Sequence, residues 1–120
     1  MQAAYLGDTL AERIGPFIAL RRDLHAHPEL GFEEHRTAAR VAEILAPLVA
    51  EGLELRSGVA RTGLVATIRG KGPGPCLLVR ADMDALPILE VEDGRPYRSL
   101  ADGRMHARSE EHTSELQSRQ

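Results

Sequence analysis

The sequence predicts an α/β fold: two helices, then about three strands, in a sheet left incomplete within the chain. Three observations carry this. Apolar residues recur at helical spacing before Gly52, and beyond it the pattern changes to short apolar runs bounded by Gly and Pro. The last run, Cys76-Leu77-Leu78-Val79, is apolar without interruption, as a strand covered on both faces is. Helices followed by strands, the most buried strand last, describe a layer that needs further strands and covering helices.

The first helix is predicted from Asp8 to Leu24, with Leu10, Ile14, Phe17, Ile18 and Leu24 at helical spacing and Asp8 or Thr9 as N-cap. Pro16 lacks the N–H that would bond back to the fourth preceding carbonyl, so a kink or restart near Gly15 is expected. His27-Pro28 ends the helix, because the residue before a proline is pushed out of the α region.

The second helix is predicted from Glu34 to Ala50. Ala38, Val41, Ala42, Leu45 and Val49 form its apolar stripe, and His35, Arg36, Arg40 and Glu43 fall largely outside it. Glu33 and Glu34 suit the positive end of its dipole, and Gly52 can supply a left-handed closing residue. Pro47 costs about 3 kcal/mol in a helix interior unless the helix bends. Strands are expected at residues 53–57, 64–69 and 76–79, with Lys71-Gly72-Pro73-Gly74-Pro75 turning between the last two.

Composition excludes several function classes. At 120 residues and 42% apolar content the chain suits one small domain. A net charge of −3 with mixed signs offers no basic stripe for nucleic acid or an anionic membrane. The start has neither the basic opening nor the apolar core of a signal peptide, and no stretch is long enough to span a bilayer. The lone Cys76 excludes an internal disulfide and fits a reducing cytoplasm, where it is expected to behave as a small core hydrophobe.

Two segments carry candidate chemistry. Residues 80–88, RADMDALPI, place Asp82 and Asp84 past the C-terminal end of the apolar run, the edge where open α/β sheets bind ligands. Aspartates on alternate residues there can ligate a hard cation, orient a metal-bound histidine or move protons; they can equally cap the following turn. Residues 21–34, RRDLHAHPELGFEE, hold His25 and His27, which point to different sides of a helix and share a metal only if the helix ends between them. The alternative is that they close the helix C-terminus, with Glu29, Glu33 and Glu34 on a solvated face. His35 and His106 have no evident partner in the sequence.

The segments RRDLHAHPELGFEEHRTA, GVARTGLVATIRG, LLVRADMDALPILE and PYRSLADGRMHA occur in the order and spacing of the hippurate hydrolase and N-acyl-amino-acid amidohydrolases. From about residue 10 to 107 the chain resembles this branch of the aminoacylase and carboxypeptidase-G type zinc peptidases. The resemblance implies the N-terminal part of a zinc-peptidase-like catalytic domain. The parent enzyme would hold two divalent metal ions, zinc or manganese-like, and hydrolyse N-acyl amino acids as a homodimer or larger assembly. In wider relatives the strand end carries His-x-Asp; by that match Asp84 inherits the catalytic-support position, while Asp82 stands in the histidine's place and is not assigned as a ligand.

Relatives of this kind continue GRMHA into CGHDGH, whose Cys and first His are metal ligands. Here Arg108 follows Ala107, and RSEEHTSELQS, residues 108–118, matches no part of the family and resembles a translated sequencing-library adapter. Residues 1–107 are therefore expected to be the family region and 108–120 a disordered, adapter-derived tail; a genuine polar terminus is the alternative. With too few ligands, the chain itself is expected to bind metal weakly, lack amidase activity and associate. Two competing readings remain: a non-catalytic α/β binding or interaction module, and an independent magnesium site at Asp82 and Asp84.

Overall fold

The computed structural model describes residues 2–92 and 94–107, with side chains from residue 11 onward. The expected tail, 108–120, lies outside the described residues. The described residues divide into two units: 2–28 with those from 87 to 107, and 29–86.

In the first unit, α1 runs from Gln2 to Ala26. It starts earlier than the sequence predicts, so Asp8 and Thr9 lie inside the helix, and Pro16 is carried through without a restart. A proline deletes one backbone bond and crowds one carbonyl, a defect that gentle bending can absorb when the flanking turns are intact. The end after Ala26 is as expected ahead of His27-Pro28. Ile14, Phe17 and Ile18 of the predicted stripe stay exposed, while Leu24 is half-buried. Beyond Pro87 the described residues of this unit are irregular, the chain held by the Leu100 N–H donating to the Ala26 carbonyl at 2.8 Å.

The second unit contains α2 (His35–Val49), β1 (Glu54–Val59) and β2 (Gly63–Thr67). Along α2, Ala38, Val41, Ala42 and Leu45 are half-buried as the periodicity predicts, but Val49 is exposed. The helix closes with Gly52 at φ +103°, its N–H on the Val49 carbonyl at 3.1 Å and the Leu53 N–H on Leu48 at 3.0 Å. This 6→1 and 5→2 pairing is a Schellman motif, and it buries Leu53.

β1 and β2 pair antiparallel from Glu54 opposite Thr67 to Val59 opposite Gly63, with a bulge between Ser57 and Val59. Ala60 and Arg61 take φ +50° and +85° in the connecting loop. Gly63 is required by proximity: a Cβ there would lie 2.6 Å from the Val59 carbonyl oxygen. An exposed bidentate pair, Arg69 with Glu54, joins the two ends of the hairpin.

The expected third strand does not form among the described residues. Residues 76–79 run extended but exposed, with Leu77 and Leu78 each 87% exposed, and Cys76 is at the surface rather than in a core. A strand apolar on both faces is buried only when strands flank it and layers cover it, and the described sheet has β1 and β2 alone. Among the described residues no helix is long and apolar enough to cross a membrane.

Candidate functional site

The predicted site residue, Asp84, is half-buried in the second unit. Its position is set by its neighbour: Leu30 and Ala85 form a parallel bridge, and the Ala85 N–H donates to the Glu29 carbonyl at 2.7 Å. Ala85 is 2% exposed, so this bond is shielded from water. Asp82, two residues earlier, forms an ion pair with Arg80 Nη2 at 2.7 Å on the surface.

The glutamates read as a solvated face divide instead. Only Glu33 is exposed. Glu29 caps α2 from a distance: Oε2 accepts the Arg36 N–H at 2.9 Å, and Oε1 accepts the Thr37 N–H and hydroxyl, each at 2.7 Å. Burial pushes the Glu29 carboxyl up, but the Arg36 N–H, the Thr37 hydroxyl and N–H and the nearby His35 together hold it below its ordinary value. Glu34, the N-cap residue by position, makes no cap bond of its own; it is buried and accepts the Thr62 hydroxyl at 2.6 Å. The helix-start acids therefore do different work from that expected of Glu33 and Glu34: Glu29 satisfies the open N–H groups, and Glu34 ties the hairpin loop to α2.

In the first unit the two histidines separate, as their spacing requires. His27 Nδ1 donates to the Asp23 carbonyl at 2.9 Å, closing the helix end. His25 faces inward, its Nε2 on Glu90 Oε1 at 2.8 Å. An ionised carboxylate only accepts, so Nε2 carries the proton. Glu90 Oε2 takes the Ser99 N–H at 2.5 Å, and Arg95 lies 3.9 Å from Oε1. The Ser99 N–H first, then the His25 hydrogen bond and the charges of His25 and Arg95, hold the Glu90 carboxyl below its usual range. Around this pair, Tyr97 packs edge-on to the His25 ring with centroids 5.9 Å apart, Arg22 lies over Tyr97, and the His106 ring is 6.4 Å from His25.

Sequence reasoning missed this cluster. Its members were nevertheless present in the quoted segments, since His25, Glu90, Tyr97 and His106 each fall within one of them. Among the described residues no three His, Cys, Asp or Glu side chains gather to hold a metal ion.

No family model matches the chain. It is 45% identical over 96 residues to an N-acetyldiaminopimelate deacetylase of Geobacillus thermodenitrificans, covering 80% of this chain and 25% of that protein. A Bacillus subtilis structure, a dinuclear metal-binding peptidase of the M20 family, matches with a TM-score of 0.63 at 42% identity, over 74% of this chain and 24% of that one. An aminohydrolase structure from methicillin-resistant Staphylococcus aureus matches with a TM-score of 0.73 at 41% identity, over 85% and 26%. The class these likenesses define is that of hydrolases built on the M20 peptidase fold. Sequence and backbone together support the M20 amidohydrolase family for this chain, without singling out its hippurate hydrolase branch. The chain spans about a quarter of the length of the curated relatives it matches.

Proposed function

We propose that residues 1–107 are the N-terminal part of a metal-dependent amidohydrolase that cleaves N-acyl amino acids to a carboxylic acid and a free amino acid, and that the 120-residue chain does not catalyse this reaction alone. The observation that carries the reading is a conjunction. Identity near 45% accompanies a matching backbone, yet the chain spans a quarter of its relatives.

In the parent, Asp84 serves as the catalytic-support aspartate, held at the end of its segment by the Ala85 bridge. Two divalent ions, zinc or manganese-like, would supply Lewis-acid activation there when bound; the dinuclear Bacillus subtilis peptidase supports their number. The deacetylase among the relatives favours an N-acetyl substrate over the benzoyl group of hippurate. We assign the parent to the cytoplasm as a homodimer or larger assembly, and residues 108–120 to adapter-derived sequence outside the enzyme.

Two measurements test this. Purified 120-residue chain, supplied with zinc or manganese, is expected to leave hippurate and N-acetyl amino acids intact; metal-dependent hydrolysis would overturn its assigned inactivity. The source DNA beyond Ala107 is expected to encode CGHDGH and a full-length remainder. An intact genomic locus carrying the 108–120 tail instead would refute the parent-enzyme reading.

A further inference from the structure

We infer that Glu29 is a positioning residue for Asp84, coupling the start of α2 to the aspartate through one residue's side chain and backbone. The inference rests on the reading of Asp84 as the catalytic-support group. Both carboxylate oxygens of Glu29 are fixed on the first turn of α2 by three hydrogen bonds, two of them from Thr37, which is 1% exposed. The carbonyl of the same residue accepts the N–H of Ala85, directly after Asp84, and Leu30 bridges Ala85 in parallel. A displacement of α2 is therefore passed to the peptide that carries Asp84. The approach to Asp84 from the other side offers little restraint, because residues 76–82 are exposed and form no strand among the described residues. A side chain gains a fixed direction from the backbone that anchors it, and here the anchor is the bond between Glu29 and Ala85.

The test uses the isotopically labelled 120-residue chain, following amide exchange at Ala85 and the carboxyl carbon resonance of Asp84. Glu29→Ala is expected to speed Ala85 exchange by about tenfold or more, because it frees the residue whose carbonyl protects that amide. It should also displace the Asp84 resonance while α2 remains helical. Glu29→Gln, whose amide oxygen can still accept from α2, should bring both readouts back toward the parent chain. Glu34→Gln, a change at the buried carboxylate that accepts the Thr62 hydroxyl, should leave the Asp84 resonance in place. An unmoved Asp84 resonance in folded Glu29→Ala, or an equal displacement in Glu34→Gln, overturns the inference. Should Glu29→Ala fail to fold, Thr37→Val removes only the hydroxyl bond and is expected to speed Ala85 exchange several-fold; unchanged exchange there counts against the coupling. None of these readouts involves hydrolysis. Dispensability of Asp84 in an active full-length parent would refute its catalytic role and leave the positioning result standing.

Discussion

Glu90 and His25, 65 positions apart in the chain, meet at 2.8 Å, and the same carboxylate binds the Ser99 N–H. The Glu90 side chain is 5% exposed, so its negative charge persists there only because these donors replace the water it has lost. This one residue joins α1 to the irregular segment that leads to His106.

Replacing Glu90 by Ala leaves the Ser99 N–H and the His25 ring without their acceptor. A loss of about 2–3 kcal/mol is expected, since a buried donor stripped of its partner costs more than the bond contributed. Urea denaturation followed by circular dichroism measures it. An unchanged midpoint would show that the pair adds nothing to folding.

Acid should weaken both units through Glu90 and Glu29. Both carboxyls lie below their ordinary value of 4.5 in the folded chain. The unfolded state therefore takes up protons first as pH falls, so the stability they contribute is fully present above pH 4.5 and is lost as pH drops through the lower folded values. Urea midpoints between pH 7 and pH 3 should fall below about pH 4.5, and the fall should be shallower in Glu90→Gln.

Gly63→Ala would place a methyl group 2.6 Å from a backbone oxygen, a contact that no side-chain rotation relieves. The hairpin must shift its register at Val59 or open. A cost of about 1–3 kcal/mol is expected, read as a lower thermal midpoint and faster amide exchange across β1 and β2. Gly72→Ala, with nothing within 4 Å of its Cβ, serves as the control.

The exposed run Leu77, Leu78 and Val79 should make the purified chain associate. Extended, unpaired and apolar segments recruit further strands, and these residues are 80–87% exposed. Sedimentation velocity is expected to show concentration-dependent species that Leu78→Lys reduces. A monodisperse monomer at all concentrations would contradict this.

Much of the local structure was legible because it depends on neighbours in sequence. The stripe of α2 from Ala38 to Leu45, the closure at Gly52, the end of α1 before Pro28 and the two strands beyond Leu53, though not their pairing, follow from side-chain period, proline's missing N–H and glycine's left-handed freedom. Asp84 was named from its motif alone, and the likeness to M20 hydrolases supports the broader family that the quoted segments suggested.

Tertiary structure alone decided where long-range partners meet. Nothing in the spacing tells Glu29 from Glu33 or Glu34, yet one caps α2, one stays at the surface and one takes Thr62 from across the hairpin. Likewise His25 and His27 share a tripeptide but answer to Glu90 and Asp23. The physical reason is range: periodicity records which face of an element is apolar, whereas the partner of a buried charge is chosen by where the chain returns. For the same reason Cys76 to Val79, read as a buried strand from its apolar character, is exposed: burial belongs to the neighbours a strand finds and cannot be a property of the strand alone.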